Sequence, residues 1–208
     1  NALADVMSLP AVPRQNTRNE SCNINELHVY TASKSSKPSS KKFRCEQTVC
    51  LVSPAENEET LIFGMLPIAE AILRTELSKG GLLIHGALAE ATSHLGGGIL
   101  FAGQGNVGKT TTSNRLPTRW KSLSDDASLV LRDVNGQYWA HPWPTWSRFF
   151  KDEKGNPGPG GNWDIQTGIP LKALFFLAQA EVDRIEQIPF TPALAFLMET
   201  VQQASWPI

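Results

Sequence analysis

The sequence predicts an α/β protein whose core is a mixed, strongly bent β-sheet, with a small β-rich unit at the N-terminus. The short apolar run Gly98–Ala102 indicates a buried strand, and a glycine-rich loop and a short helix follow it. A hairpin, not a crossover helix, leads into that strand, which argues against a doubly wound sheet whose strands alternate with helices. Further along, Asn135-Gly136 separates two apolar runs, which is a strong hairpin signal.

The composition divides the chain near residue 65. Residues 1–65 are expected to form a polar lead-in and the small β-rich unit, which contains the basic stretch Ser33–Lys42 and a strand at Thr60–Phe63. Residues 66–208 are expected to form the core. It begins with an amphipathic helix over Leu66–Leu77, because apolar residues recur there at helical spacing.

The other elements of the core follow from apolar runs and their breakers. Strands are predicted from period and β-propensity, and helix ends from glycine and proline. In chain order we expect a strand at Leu82–Ala91, either continuous or interrupted by a turn around His85-Gly86, and a strand at Gly98–Ala102. We then expect a helix at Lys109–Leu116, strands at Ser122–Ser124, Ala127–Leu131 and Gln137–Ala140, a strand at Leu171–Gln179 with a hairpin partner at Asp183–Ile188, and a terminal helix from Pro192.

Residues 103–110 fit the phosphate-binding pattern G-x-x-x-x-G-K-S/T. Glycines in such a loop let successive N–H groups point inward at phosphate oxygens. Lys109 is placed to reach the β- and γ-phosphates, and the Thr110 hydroxyl to bind Mg²⁺. The predicted residues of an ATP site are Gly103, Gln104, Gly105, Asn106, Val107, Gly108, Lys109, Thr110 and Thr111. A chance match in a glycine-rich turn is the alternative.

An acidic pair, Asp125-Asp126, follows Lys109 by 16 residues. The pair is expected at a tight junction near the end of a strand, where one carboxylate can hold a metal ion and the other can accept a proton from an attacking hydroxyl. Taken alone, two adjacent aspartates indicate a turn more often than a site. Together with the loop, they favour the site.

Three elements in this order resemble the catalytic core of the HPr kinase/phosphorylase family. They are Leu83-Ile84-His85-Gly86, the loop from Gly103 to Thr110, and Ser124-Asp125-Asp126-Ala127. The resemblance covers about residues 80–190. It implies the P-loop sheet shared by HPr kinase and phosphoenolpyruvate carboxykinase, with ATP and Mg²⁺ as cofactors and phosphoryl transfer as the activity.

The resemblance also implies roles for single residues. The catalytic group is Asp125, Asp126, His85 and Lys109. Asp125 is the favoured base, Asp126 together with Thr110 the favoured metal-binding pair, and His85 is implied to tune the protonation of the acids. The two aspartates could exchange roles, because interacting carboxylates titrate together. From the residues alone, a core histidine at the end of an apolar strand is the preferred interpretation of His85.

The downstream sequence departs from HPr kinase. The segment His141–Phe150 stands where that family has a Gly/Arg-rich segment that binds its protein substrate. Its aromatic residues and Arg148 either form a pocket wall or cover a sheet edge, and Gly155–Gly161 is either a lid or a surface loop. This tail is more similar to HPr-kinase-related proteins of peptide-modification cassettes, the SynChlorMet cassette protein C type.

The favoured function is therefore an ATP-dependent kinase that phosphorylates a serine-type hydroxyl of a small molecule, peptide or protein. The alternative is a nucleotide-regulated binding module of a peptide-modification pathway with little or no phosphotransfer. A carboxykinase-like enzyme is less favoured, because the extra metal ligands and arginines that it needs are not recognisable in the sequence.

Composition bounds the partners and the compartment. A net charge of -1 over 208 residues favours neither nucleic acid nor an anionic membrane, and no apolar run approaches the roughly 18 residues that span a bilayer. Cys22, Cys45 and Cys50 are odd in number and lack metal-site spacing, which favours free thiols in a reducing cytoplasm. A homo-oligomer is left open.

Overall fold

The computed structural model describes residues 26–31, 39–42, 47–52, 57–92, 96–144 and 164–204. These residues divide into two compact units, one ending at Lys79 and one beginning at Gly80. The predicted polar lead-in, the aromatic segment around Arg148 and the Gly155–Gly161 loop lie outside the described residues. Within the described part of the chain, no helix has the length and apolar content to cross a bilayer.

Among its described residues, the first unit contains a three-stranded sheet and one helix. Its strands are β1 (Glu26–Thr31), β2 (Ser39–Lys42) and β3 (Gln47–Val52), and its helix is α1 (Glu58–Ser78). β3 lies in the centre, parallel to β1 and antiparallel to β2. β2 is the last part of the basic stretch Ser33–Lys42. Residues 33–38 of that stretch lie outside the described residues.

Helix α1 begins earlier than the sequence predicts, and its first turn replaces the strand expected at Thr60–Phe63. The side chain of Asn57 accepts from the N–H of Thr60 at 2.9 Å, and the Thr60 hydroxyl accepts from the N–H of Asn57 at 3.1 Å. This reciprocal pair is a capping box, which satisfies two backbone donors at the helix start. The helix continues through Pro67 to Ser78, so residues 65 and 66 both lie inside it.

The second unit contains six strands and two helices among the described residues. They are β4 (Leu82–Ala91), β5 (Gly98–Ala102), α2 (Lys109–Asn114), β6 (Trp120–Ser124), β7 (Ala127–Arg132), β8 (Tyr138–Pro142), β9 (Ile169–Phe176) and α3 (Phe190–Ala204). The predicted bounds of β5 are confirmed, and Leu82–Ala91 is one continuous strand without a turn at His85-Gly86. The expected hairpin partner at Asp183–Ile188 is wrong, because that segment forms no strand.

The predicted fold class, an α/β protein with a P-loop sheet of the HPr kinase and carboxykinase type, is wrong. The strands of the second unit form a closed five-stranded β-barrel with few helices. β4 pairs with β5, β5 with β9, β9 with β8, β8 with β7, and β7 returns to β4. β6 is an additional strand that pairs with the end of β4.

The barrel closes because β4 is long enough to pair with three strands. Leu82–His85 pairs with β7, Gly86–Glu90 pairs with β5, and Leu88–Ala91 also pairs with β6. A register shift between Leu88 and Ala89 bends the strand within this stretch, as irregularities in strand pairing commonly do. Two non-local pairings complete the ring, a parallel one between β5 and β9 and a short one between β8 and β9.

Alternating residues of the strands divide the apolar side chains into two clusters. The larger cluster comprises Ile84, Leu88, Leu100, Ala102, Leu123, Val130, Ala140 and Ile169, with Leu197 and Val201 of α3 packed against it. The smaller cluster comprises Ala87, Ala89 and Phe101, with Ile99, Leu116, Trp120, Phe175 and Leu177 against it. Neighbouring residues of β4 and β5 thus belong to different clusters, as period-two side-chain alternation requires.

Replacing Gly86 with alanine is expected to destabilise the barrel by about 1–3 kcal/mol. A Cβ at this position would lie 2.9 Å from the carbonyl oxygen of Phe101, so β4 and β5 would have to separate. Gly105→Ala is the matched control, because a Cβ there meets nothing within 4 Å; its effect should stay within about 0.5 kcal/mol. Urea unfolding of the two variants measures both values, and equal stabilities would contradict the close approach.

Candidate phosphate-binding site and acidic pair

The glycine-rich loop joins the end of β5 to the start of α2, as the sequence predicts. Its first residue must be glycine for two reasons. Gly103 has φ 150°, and a Cβ there would lie 3.0 Å from Cγ1 of Val107 and 3.1 Å from the carbonyl oxygen of Leu177. Gly108 also has a positive φ, 108°, immediately before the helix. The loop is therefore a compact turn fixed by its glycines.

The Lys109 side chain lies across this loop and is almost fully buried, with 6% of its surface exposed. Its ammonium donates to the carbonyl oxygens of Gly103 at 2.9 Å and Gln104 at 2.7 Å. Burial lowers the pKa of Lys109, and the nearby Asp126 carboxylate opposes this shift. The loop thus holds a buried cation close to an acidic residue.

The loop contains several backbone N–H groups that do not donate to another described residue. Within the described residues, no acceptor is recorded for the N–H groups of Gly105, Asn106 and Gly108. Asn106 has φ 62°, which is uncommon for a residue with a side chain. Successive N–H groups with left-handed residues among them form concave sites for anions.

The acidic pair occupies the short break between β6 and β7. The backbone N–H of Gly86 donates to the carbonyl oxygen of Asp126 at 2.8 Å, which fixes the pair against the middle of β4. Both aspartates are partly buried. The expectation that the pair lies at a tight junction next to a strand end is confirmed by this position.

Two buried serines flank the pair, and the sequence analysis did not assign them a role. The hydroxyls of Ser124 and Ser128 lie 2.8 Å apart, and the N–H of Leu88 donates to the Ser124 hydroxyl at 3.3 Å. Because the serines lie on opposite sides of the break, their hydrogen bond links the end of β6 to the start of β7. The only signal in the sequence is the position of two small polar residues at the ends of apolar strands.

His85 lies beside Asp126, with 3.8 Å between Nε2 of His85 and Oδ1 of Asp126. This separation is too long for a hydrogen bond. Burial lowers the pKa of His85, the positive charge of Lys109 lowers it further, and Asp126 raises it less than these effects lower it. His85 is therefore mainly neutral at neutral pH, and its contact with Asp126 is not an ion pair under those conditions.

Replacing His85 with glutamine should flatten the dependence of stability on pH below neutrality. The pKa of His85 is lower in the folded protein than its ordinary value of 6.5, so the unfolded chain binds the proton first as pH falls. The free energy of unfolding of the wild type should thus fall from about pH 7.5 to 5.5, and this component should be missing in His85→Gln. His141 is present in both proteins and cancels in the comparison. Parallel pH profiles from urea unfolding would contradict the shift.

The structure brings three of the four predicted catalytic residues into one neighbourhood. Lys109 interacts electrostatically with His85 and with Asp126, and Asp125 is adjacent to Asp126 in the same break. Thr110 and Thr111 lie exposed in the first turn of α2. These positions come from four separate elements, β4, the loop, α2 and the β6–β7 break.

The oxygen donors fit a magnesium ion. Mg²⁺ prefers carboxylate and hydroxyl oxygens and usually retains several waters, so that one or two protein ligands suffice beside substrate phosphates. The Thr110 hydroxyl is exposed, and the side chain of Asp126 is 40% exposed. Among the described residues no group of three or more His, Cys, Asp or Glu could hold a metal on its own.

The loop has two further contacts that no sequence pattern indicates. The Gln104 amide donates to the Glu199 carboxylate of α3 at 2.8 Å, and the Gln179 amide donates to the carbonyl oxygen of Asn106 at 3.4 Å. Both partners are more than seventy positions away in the sequence. The C-terminal region therefore supports the exposed side of the loop.

One protein family matches the chain. The family described as SynChlorMet cassette protein ScmC matches residues 48–208, and the chain belongs to that family. The resemblance to the cassette proteins is thereby confirmed, whereas membership in the HPr kinase superfamily stays a prediction. No curated protein shows significant similarity to the chain.

Proposed function

We propose that this member of the SynChlorMet cassette protein ScmC family binds ATP on the loop 103–110 and transfers the γ-phosphate to a serine-type hydroxyl. The observation that carries the proposal is the convergence of a buried lysine, a histidine and an acidic pair beside a loop with available backbone donors. A lysine, a carboxylate and oriented N–H groups are the chemical parts that phosphoryl transfer uses.

The loop supports the proposal because its groups suit phosphate oxygens. Lys109 donates to two carbonyl oxygens of the loop and has a third N–H left for an anion. The N–H groups of Gly105, Asn106 and Gly108 supply further donors. Since Lys109 is buried, its attraction for a phosphate is weakly screened by solvent.

Thr110 and Asp126 would hold Mg²⁺ together with the nucleotide phosphates. When bound, the ion neutralises the charge of those phosphates. The half-exposed position of Asp126 lets its carboxylate face a ligand without the full cost of a buried charge.

Asp125 would accept the proton of the acceptor hydroxyl. The acceptor oxygen forms a bond to the γ-phosphorus, the bond from that phosphorus to the bridging oxygen breaks, and the proton passes to the carboxylate. His85 is neutral near pH 7 and adds no charge to this site, so Lys109 remains the cation that stabilises the leaving diphosphate.

The test has two stages on the same protein. Calorimetric titration with ATP and Mg²⁺ measures binding, and incubation with γ-labelled ATP and either free serine or a serine-containing peptide measures transfer. We expect saturable binding and label in an acceptor. Absence of nucleotide binding would refute the site, and binding without label in any acceptor would refute the kinase.

One observation favours a second function, nucleotide binding without transfer. The expectation of kinase activity comes from a resemblance that implies a P-loop sheet. The second unit does not have that fold, since its strands form a closed barrel. The loop and its lysine do not depend on that fold. A nucleotide-regulated accessory module would therefore keep the binding stage of the test and fail the transfer stage.

A further inference from the structure

A cavity lies at the end of the barrel opposite the glycine-rich loop. It is partly open to solvent and has a volume of about 520 Å³, and its described lining is Ala91, Gly96, Gly97, Gly98, Ile99, Arg119, Trp120 and Lys172. β5 begins at this cavity and ends at the loop, so the length of that strand, roughly 15 Å, separates the two places. Cavities of this volume accommodate small organic ligands.

Four strands converge on the cavity at one level of the sheet. Ala91 at the end of β4 pairs with Trp120 at the start of β6, and Gly98 at the start of β5 pairs with Leu171 of β9. The backbone is held by hydrogen bonds from the N–H of Ala91 to Gly97 at 3.0 Å and from that of Thr92 to Arg119 at 2.8 Å. The cavity walls are thus parts of the barrel framework.

Two cations line the cavity without an acidic neighbour in the lining. Neither Arg119 nor Lys172 has a side-chain hydrogen bond or ion pair with another described residue. The aliphatic part of the Lys172 side chain packs against Gly97. A Cβ added to Gly97 would lie 2.9 Å from both Cγ and Cε of that lysine. The bare glycine therefore allows the lysine to lie flat against the backbone at the cavity edge.

The remaining walls are apolar. Trp120 and Ile99 both pack against the smaller apolar cluster of the barrel, which fixes their position. A cavity with an apolar wall and two convergent cations selects a ligand that has an apolar body and one anionic end. A planar guanidinium prefers a carboxylate or phosphate as its partner.

We propose that this cavity binds the carboxylate of a small apolar or aromatic acid, either a free acid or the C-terminal residue of a peptide. Arg119 and Lys172 bind the carboxylate, and Trp120 and Ile99 contact the apolar body. The site is independent of nucleotide binding, since none of its residues belongs to the loop or the acidic pair.

The experiment compares acids with their amides on the full chain. Calorimetric titration uses 3-phenylpropionate and N-acetyl-glycyl-phenylalanine, each beside its neutral amide. The variants are Arg119→Gln and Lys172→Met, with Lys121→Gln as the control, because Lys121 is exposed on the same strand as Trp120 and is not in the lining. Thermal unfolding of each variant establishes that it is folded.

We expect the acids to bind the wild type at least about tenfold more tightly than their amides, and each lining variant to weaken acid binding about tenfold while Lys121→Gln leaves it unchanged. Tighter binding of the peptide acid than of the free acid assigns peptide C-termini as the ligand, and the reverse assigns free acids. No binding up to about 10 mM, equal binding of amide and acid, or equal weakening by Lys121→Gln overturns the proposal.

Discussion

Replacing Lys109 with alanine is expected to weaken ATP binding by about 30-fold or more. The side chain is buried against the loop, and its ammonium donates to the carbonyl oxygens of Gly103 and Gln104. Its loss removes a weakly screened charge and also the ammonium donor that the carbonyl oxygens of Gly103 and Gln104 share. Both effects act against a bound phosphate, the first by lost attraction and the second by a loosened loop.

Lys121→Ala is the matched control for this experiment, because it removes one positive charge from an exposed position on β6. Calorimetry at two salt concentrations separates local contact from general charge. An ATP affinity that is unchanged in Lys109→Ala, or equally reduced in both variants, would contradict the assignment of the loop. Unfolding curves for Lys109→Ala show whether the loop alone or the whole barrel has been affected.

Asp125→Asn is expected to lower kcat for phosphotransfer by about 100- to 10,000-fold while leaving ATP affinity within about threefold. An amide keeps the size and part of the hydrogen bonding of the carboxylate, but it cannot accept the proton of the acceptor hydroxyl. The loss therefore falls on the chemical step. The measurement is single-turnover label transfer beside nucleotide titration, in the conditions under which the wild type labels an acceptor.

Asp126→Asn is the comparison that assigns the two carboxylates. If Asp126 holds Mg²⁺, its amide variant should require more Mg²⁺ for half-maximal binding of ATP, and added Mg²⁺ should restore part of the activity. Asp125→Asn should not respond to added Mg²⁺. The opposite pattern would exchange the roles, and full activity in Asp125→Asn would remove it as the base.

The local elements around the site were predictable because their signals are local. An apolar run bounded by glycines gives β5, and the positive φ of Gly103 and Gly108 follows from the glycine spacing of the loop. The Asn135-Gly136 signal likewise gives the β7–β8 hairpin, with φ 82° at Gly136. The helix start at Asn57 was not predicted, because the short apolar run after it was interpreted as a strand and Thr60 stands where the capping-box pattern has Glu or Gln.

The closed barrel was not predictable from the same signals. Its ring depends on the parallel pairing of β5 with β9, more than sixty residues apart, and on two residue pairs between β8 and β9. Strand periodicity indicates which face of a strand is apolar, but it does not indicate which strand lies beside it. An open, bent sheet and a closed ring therefore present the same alternation, and the pairings of β9 with β5 and with β8 are what close the ring.

The sequence by itself determined the glycine-rich loop 103–110, because the loop's conformation depends on glycines and a lysine within eight positions. It also placed the acidic pair at a strand break. The tertiary structure alone decided what surrounds them. The barrel places His85 beside Asp126, the hydroxyls of Ser124 and Ser128 bond across the break, and Gln179 and Glu199 contact the loop. These contacts join residues from distant parts of the chain, and they form only when strand pairing and apolar burial fix the whole ring.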